Sequence, residues 1–171
     1  MGKALDTYKA LDDIAGKYSD DVIHYDFAEG EYKPDYKLSD VDRIDKLGEQ
    51  MYEEFRATNE DIAAISNNTG WSIENVTIVK NHVFNDIVLK DDGVYRTLDS
   101  YYEQALAWQR LINGNYYQSD ILLLEHELFE ATYYNYFHPI NNCTLREAHD
   151  FTTNYYDWDS IITEILEKYL S

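Results

Sequence analysis

The chain has 171 residues, of which 44% are hydrophobic and 15% aromatic, so it can bury a core and is not disordered throughout. It holds 33 Asp and Glu against 14 Lys and Arg, a net charge of -19, which repels phosphate backbones and makes nucleic acid an unfavourable partner. The single cysteine, Cys143, excludes an internal disulfide bond and a zinc site built from cysteines.

The length favours a single domain over residues 1–171. Within it, we expect residues 1–57 to form an acidic, helical N-terminal extension packed on a core of residues 58–171. The sequence has no apolar run long enough to span a membrane and no signal peptide, because its first residues lead directly into an amphipathic pattern. We therefore expect no membrane partner and a cytoplasmic location.

Hydrophobic periodicity predicts a mainly α-helical, compact domain of about six to seven helices with one small β-hairpin. A first helix is predicted over residues 5–16. Ser39 is predicted to cap the next helix, and Asn59 is predicted to cap a short helix that Gly70 ends.

Near residues 86–96 the helical periodicity gives way to a pattern typical of short β-strands. Ser72 is predicted to cap the helix that precedes this segment. The pair Asp92-Gly93 stands between short runs of β-forming residues, which is typical of a tight hairpin. A helix over about residues 98–112 follows.

The strongest helical pattern covers residues 120–137, with Ser119 as the predicted cap and Pro139 as the predicted stop. Thr144 then begins a Thr-x-x-Glu capping box for the next helix. A final helix is predicted over about residues 158–170.

The best candidate site lies in the helix over 120–137. His126 and Glu130 are four residues apart, so they lie on one helix face, and Glu127 is adjacent. This spacing is similar to the zinc-hydrolase motif H-E-x-x-H, with a carboxylate in place of the second histidine. We predict zinc or another divalent metal held by His126, Glu130 and His149, with Glu127 accepting a proton from the activated water.

A plainer interpretation is a solvated helix face whose charges pair four residues apart. The flanking residues 122–124, Leu128 and Phe129 are apolar, which argues against full exposure of this face. Buried acids need partners. The sequence therefore favours a functional cluster, or a buried ion network made from the same residues.

Two further residues complete the predicted catalytic set. Arg110 is predicted to neutralise Glu127 or Glu130, or to bind an anionic group through both guanidinium nitrogens, and the alternative is a structural ion pair. His82 stands near a predicted helix end and is a second acid/base or ligand candidate. Its alternative role is a partner of the helix dipole.

Two short helices joined through Gly70 are also the layout of a helix-turn-helix motif. The second helix, over residues 72–84, offers Lys80 as its single Lys or Arg. Reading DNA needs several cations at phosphate contacts. We therefore interpret this region as an ordinary helical hairpin.

The order of these patterns resembles the toxin-like C-terminal domain of phage minor head (MuF-type) proteins and related polymorphic toxins. The similarity covers roughly residues 58–158 and rests on five segments. They begin at Ile62, Lys80, Ala107, Asp120 and Glu147. The resemblance implies a phage- or conflict-associated effector, delivered with a phage particle or as a secreted toxin. The positions that it carries over are His82, Arg110, His126, Glu127, Glu130 and His149.

We therefore expect a toxin-like effector that is a small hydrolase, either metal-dependent or using histidine acid/base chemistry without a cofactor, with a protein partner such as an immunity protein, a target or a basic host protein. The alternative is a non-enzymatic acidic decoy that mimics nucleic acid and binds a basic host or defence protein. Its surplus of acids and its 17 tyrosines suit such a surface. A third hypothesis is a structural domain whose buried His–Glu–Arg network only orients helices.

Overall fold

The structure is a computed structural model that describes residues 30–170, so the helix predicted over residues 5–16 lies outside it. The described part is mainly α-helical with one two-stranded antiparallel hairpin, which confirms the predicted fold class. Its elements are α1 (Val41–Ala57), α2 (Glu60–Thr69), α3 (Ile73–Lys80), β1 (Val88–Leu89), β2 (Tyr95–Arg96), α4 (Tyr102–Asn113), α5 (Gln118–Asn141), α6 (Leu145–Thr153) and α7 (Trp158–Leu170). Within residues 30–170, no helix has both the length and the apolar composition required to cross a membrane.

Several helix boundaries lie where local chemistry predicts them. Gly70 ends α2 with a φ of 78°, a left-handed conformation that suits glycine. The Ser72 hydroxyl caps α3 by accepting a hydrogen bond from the Asn75 backbone N–H at 3.1 Å. The Thr144 hydroxyl caps α6 in the same way, and the hairpin pairs Val88 with Arg96.

Other boundaries differ from the predictions. Helix α5 begins at Gln118, and the cap predicted at Ser119 is wrong, because the Asp120 carboxylate accepts the N–H of Tyr117 and starts the helix earlier. Pro139 does not stop α5. A proline near a helix end removes one backbone bond only, and the helix continues until Asn142 adopts a φ of 57°.

The cap predicted at Ser39 is also wrong. A short 3₁₀ turn at Leu38–Asp40 precedes α1, which begins at Val41. Asn59 occupies the cap position of α2, but its side chain makes no capping hydrogen bond. Local propensity thus locates these helix starts only to within a residue or two.

The main core forms where helices α1 to α5 meet. Its largest buried side chains are Trp108, Tyr52, Tyr116 and Phe84. Rings of Tyr52 and Trp108 contact Phe84 edge-on, with centroids 4.7 and 5.3 Å apart. Helix α1, which belongs to the predicted N-terminal extension, therefore contributes directly to the same core as the later helices.

A buried ion pair joins α2 to α3 beside this core. Lys80 Nζ lies 2.8 Å from Asp61 Oδ1, and the Trp108 indole N–H donates to the other Asp61 oxygen at 3.1 Å. The Lys80 ammonium also donates to the backbone carbonyl of Thr58. Because Lys80 is only 2% exposed, it cannot contact phosphates. This burial supports the ordinary helical hairpin over the DNA-binding motif.

Replacing Lys80 by methionine should destabilise the fold strongly. The substitution keeps most of the side-chain volume but leaves the Asp61 carboxylate buried without its cation. We expect a loss of about 3–5 kcal/mol in the free energy of unfolding, measured by chemical denaturation. The exposed Lys46→Met is the matched control and should change stability by less than about 0.5 kcal/mol. Equal stabilities of the two variants would contradict this account.

Candidate functional site

Five helices and one turn bring polar side chains to a common point beneath the hairpin. Helix α5 supplies His126, Glu127 and Glu130, and α6 supplies His149. The turn Asn81–Asn85, one turn of π-helix that extends α3, supplies His82. The remaining members, from α1, α4 and α7, are Tyr52, Gln104 and Asp159.

The Glu130 carboxylate is the centre of this cluster and contacts three imidazoles. Its Oε1 lies 2.8 Å from His82 Nε2. Its Oε2 lies 3.1 Å from His126 Nε2 and 2.8 Å from His149 Nδ1. Glu130 is 2% exposed, so these contacts replace the water that a carboxylate would otherwise bind.

The outer nitrogens of two histidines are also engaged. His126 Nδ1 donates to the backbone carbonyl of Tyr156 at 2.7 Å, and this bond directs Nε2 toward Glu130. His149 Nε2 lies 2.8 Å from the Asp159 carboxylate. Two lone pairs repel at such distances, so each imidazole–carboxylate contact requires a proton or a metal ion between its atoms.

The pKa values follow from these contacts. Burial opposes charge on His126, but hydrogen bonding to Glu130 and the nearby carboxylates raise its pKa to about 9. Hydrogen bonds to Asp159 and Glu130 raise the pKa of His149 to about 10. Burial also opposes charge on Glu130, yet its three imidazole donors hold the pKa of this carboxyl well below its usual range. Without a metal, protons therefore occupy these contacts at neutral pH.

Glu127 lies beside Glu130 but has fewer hydrogen-bond partners and a higher pKa. The Gln104 amide donates to Glu127 Oε1 at 2.9 Å, whereas the buried Oε2 has no hydrogen-bond partner among residues 30–170. The nearest imidazole nitrogen, His82 Nε2, is 3.7 Å from that oxygen. Burial and the charge of Glu130 raise the pKa of Glu127 to about 7. A carboxyl of this kind can both accept and release a proton near neutrality.

A cavity of about 250 Å³ connects this cluster to the surface. Glu127, Glu130 and His149 reach it from α5 and α6. The rest of its lining combines aromatic, aliphatic, cationic and acidic side chains, among them Tyr101, Trp158, Lys90, Arg146, Asp91 and Asp159. The volume suits a small polar molecule, or one group of a larger one.

Among the described residues, two groups of three side chains each bring their ligand atoms within 4.8 Å of one another, namely His126, His149 and Asp159, and His82, Glu127 and Glu130. The predicted ligands His126, Glu130 and His149 are divided between these two groups. Ligand atoms about 2.0–2.1 Å from a tetrahedral zinc ion lie about 3.3 Å apart. The distances from Glu130 Oε2 to His126 Nε2 and His149 Nδ1, 3.1 and 2.8 Å, are shorter than this value and lie in the range of hydrogen bonds. Asp159 would then orient His149 from behind, as carboxylates do in many zinc sites.

The structure places Arg110 elsewhere, so the prediction that it neutralises Glu127 or Glu130 is wrong. Its guanidinium binds both oxygens of Asp120, each at 2.8 Å, and lies 4.2 Å from the centre of the Tyr32 ring. Asp120 starts α5 and is completely buried. Arg110 therefore fixes the end of α4 to the start of α5, as the structural alternative proposed.

Three members of the cluster were not identified in the sequence. Gln104 connects Glu127 to the Tyr52 hydroxyl, which donates to the Gln104 amide oxygen at 3.0 Å. Asp159 is an ordinary acid of an acidic chain, and only its distance to His149 distinguishes it. A π-helical turn at His82 was likewise not predicted, although such turns are frequent at functional sites.

No protein-family model, curated protein or solved structure matches this chain. The cluster must therefore be interpreted from its own chemistry.

The structural role of Arg110 can be tested with a charge-conserving substitution. Arg110→Lys retains the cation but cannot bind both Asp120 oxygens in the same plane. We expect the free energy of unfolding to fall by about 2 kcal/mol, measured by chemical denaturation. Arg43→Lys, at an exposed residue, is the control and should be close to neutral. An unchanged stability of Arg110→Lys would show that the pair does not hold α4 to α5.

Proposed function

We propose that this chain is a small hydrolase that uses the His/Glu cluster between α5, α6 and the turn at Asn81–Asn85. The observation that carries the proposal is the contrast between two neighbouring carboxyl groups. Glu130 is bound by three imidazoles, whereas Glu127 retains an unpartnered oxygen and both line the same cavity. A network that only held helices together would be expected to pair all of its buried polar atoms.

In this proposal His126, Glu130 and His149 hold zinc or another divalent cation. The proximity of Glu130 Oε2 to the His126 and His149 imidazoles supports this assignment, as does the fixed orientation of His126 through the Tyr156 carbonyl. Bound there, the ion supplies positive charge that polarises a substrate carbonyl or phosphoryl oxygen and acidifies water. His82 contacts the far oxygen of Glu130 and stabilises its negative charge.

Glu127 is the proposed acid/base group. Its free oxygen takes a proton from the attacking water and returns that proton to the leaving group. Gln104 holds the other oxygen in place, so the carboxyl group is oriented before substrate binds. The resemblance of residues 58–158 to toxin-like domains supports an effector role for this hydrolase. The acidic decoy remains the rival hypothesis, but a decoy has no use for an unpartnered buried carboxyl beside a cavity.

Metal analysis tests the ligand set. We expect about one equivalent of divalent metal in tag-free wild-type protein after incubation with zinc and desalting, measured by elemental analysis. His126→Ala and Glu130→Gln should lose it. Glu49→Gln, an exposed substitution that removes the same charge, should retain it. Wild-type protein that takes up no divalent cation would contradict the metal site, and circular dichroism of each variant would verify folding.

A second substitution separates metal binding from proton transfer. Glu127→Gln should keep the metal but lower the rate of ester hydrolysis, measured with p-nitrophenyl acetate, by about 100-fold or more. The amide can still accept the hydrogen bond from Gln104 but cannot take a proton. Equal hydrolysis rates for this variant and wild type would exclude Glu127 as the acid/base group. Glu49→Gln again serves as the control.

A further inference from the structure

A second and larger cavity lies on the other side of α5. It has a volume of about 610 Å³ and is bounded by the start of α5, the segment between α6 and α7, and one face of α7. Its walls are mainly aromatic and aliphatic. They include Tyr32, Tyr117, Tyr155, Tyr156, Leu122 and Ile165.

One carboxylate faces this cavity without a partner. Glu125 lines it, is only 9% exposed, and has no hydrogen bond or ion pair with any residue in 30–170. Helix packing brings it there because α5 is buried on nearly all sides, so successive residues contact different neighbours: His126 faces the hydrolytic cluster and Glu125 faces this cavity. A carboxylate that faces a largely apolar cavity and has no cationic partner gains free energy when a cation binds beside it.

The charges around the cavity favour a cation as its occupant. Among the described residues that line it, none carries a positive charge. The other acid at its edge, Glu31, is already paired with Lys168 at 3.0 Å. Glu125 is therefore the carboxylate here that a bound cation would neutralise.

The rings of Tyr155 and Tyr156 favour a particular kind of cation, whereas those of Tyr32 and Tyr117 already contact the Arg110 guanidinium. Aromatic faces attract weakly hydrated cations, above all methylated ammonium groups, and such groups also gain from contact with aliphatic walls. A strongly hydrated metal ion would require several oxygen ligands, whereas Glu125 and the paired Glu31 are the two acids that line the cavity.

We propose that this cavity binds a quaternary ammonium group, with Glu125 as its counter-ion and the rings of Tyr155 and Tyr156 as its aromatic walls. The group belongs to a free organic cation or to a methylated lysine of a protein. The site is separate from the hydrolytic cluster, although Tyr156 contributes to both: its ring lines this cavity and its backbone carbonyl orients His126. Binding here does not depend on the presence of metal at Glu130.

Isothermal titration of the intact chain with choline chloride tests the proposal. We expect saturable binding, and binding at least about tenfold weaker for 3,3-dimethylbutan-1-ol, which has the same shape without the charge. Nα-acetyl-trimethyllysine amide identifies the source of the group: tighter binding than choline indicates a protein side chain, and weaker binding indicates a free cation. The absence of saturable binding by both cations would overturn the proposal.

Variants show whether binding occurs in this cavity. Glu125→Gln should weaken choline binding by about tenfold or more, because it removes the counter-ion and keeps the shape. Glu49→Gln, a distant exposed residue with the same charge change, should bind as wild type does. Tyr155 is 51% exposed, so Tyr155→Leu should fold normally and bind several-fold more weakly, whereas Tyr155→Phe keeps the ring and the affinity. Choline binding that is unaffected by Glu125→Gln would also overturn the proposal.

Discussion

The burial of one carboxylate, Glu130, constrains the rest of the molecule. A carboxylate removed from water must be compensated on both oxygens, and here three imidazoles from three parts of the chain do so. His82 arrives on a π-helical turn, His126 stands one helical turn before Glu130, and His149 comes from the following helix. Each contact requires a proton or a metal ion. The packing of α3, α5 and α6 therefore depends on the same interactions that determine the chemistry of the site.

The two buried carboxyl groups of the cluster, Glu130 and Glu127, are compensated to different extents, and this difference gives them different protonation behaviour. Glu130 accepts hydrogen bonds from three imidazoles and stays ionised. Glu127, one helical turn away, accepts a single hydrogen bond from the Gln104 amide and has a pKa of about 7. Neighbouring carboxyls with pKa values pushed apart are a common basis for dividing charge stabilisation from proton transfer. The same helix presents Glu125 to the larger cavity, so α5 serves two chemically different sites on its two sides.

Much of the fold follows from local sequence. Glycine at position 70, serine at 72 and the Asp92-Gly93 turn determine backbone conformation by themselves, and the structure agrees with each of them. The incorrect predictions concern helix ends at which a second nearby residue also affects where the helix begins or stops. Asp120 starts α5 in place of Ser119, and the helix passes through Pro139 because only one backbone bond is lost there.

For the candidate site too, part of the arrangement follows from local sequence and part from tertiary packing. The sequence alone determined that His126, Glu127 and Glu130 share one surface of a helix, because helical geometry relates residues three and four apart. Only the tertiary structure decided which distant groups meet them. It assigned Arg110 to Asp120, brought Gln104 to Glu127, and set Asp159 behind His149. These pairings depend on how the helices pack and on which buried charges must be compensated. In an acidic chain many Asp and Glu residues have similar local sequence surroundings, so the sequence alone does not show which of them will pair with a given histidine or arginine.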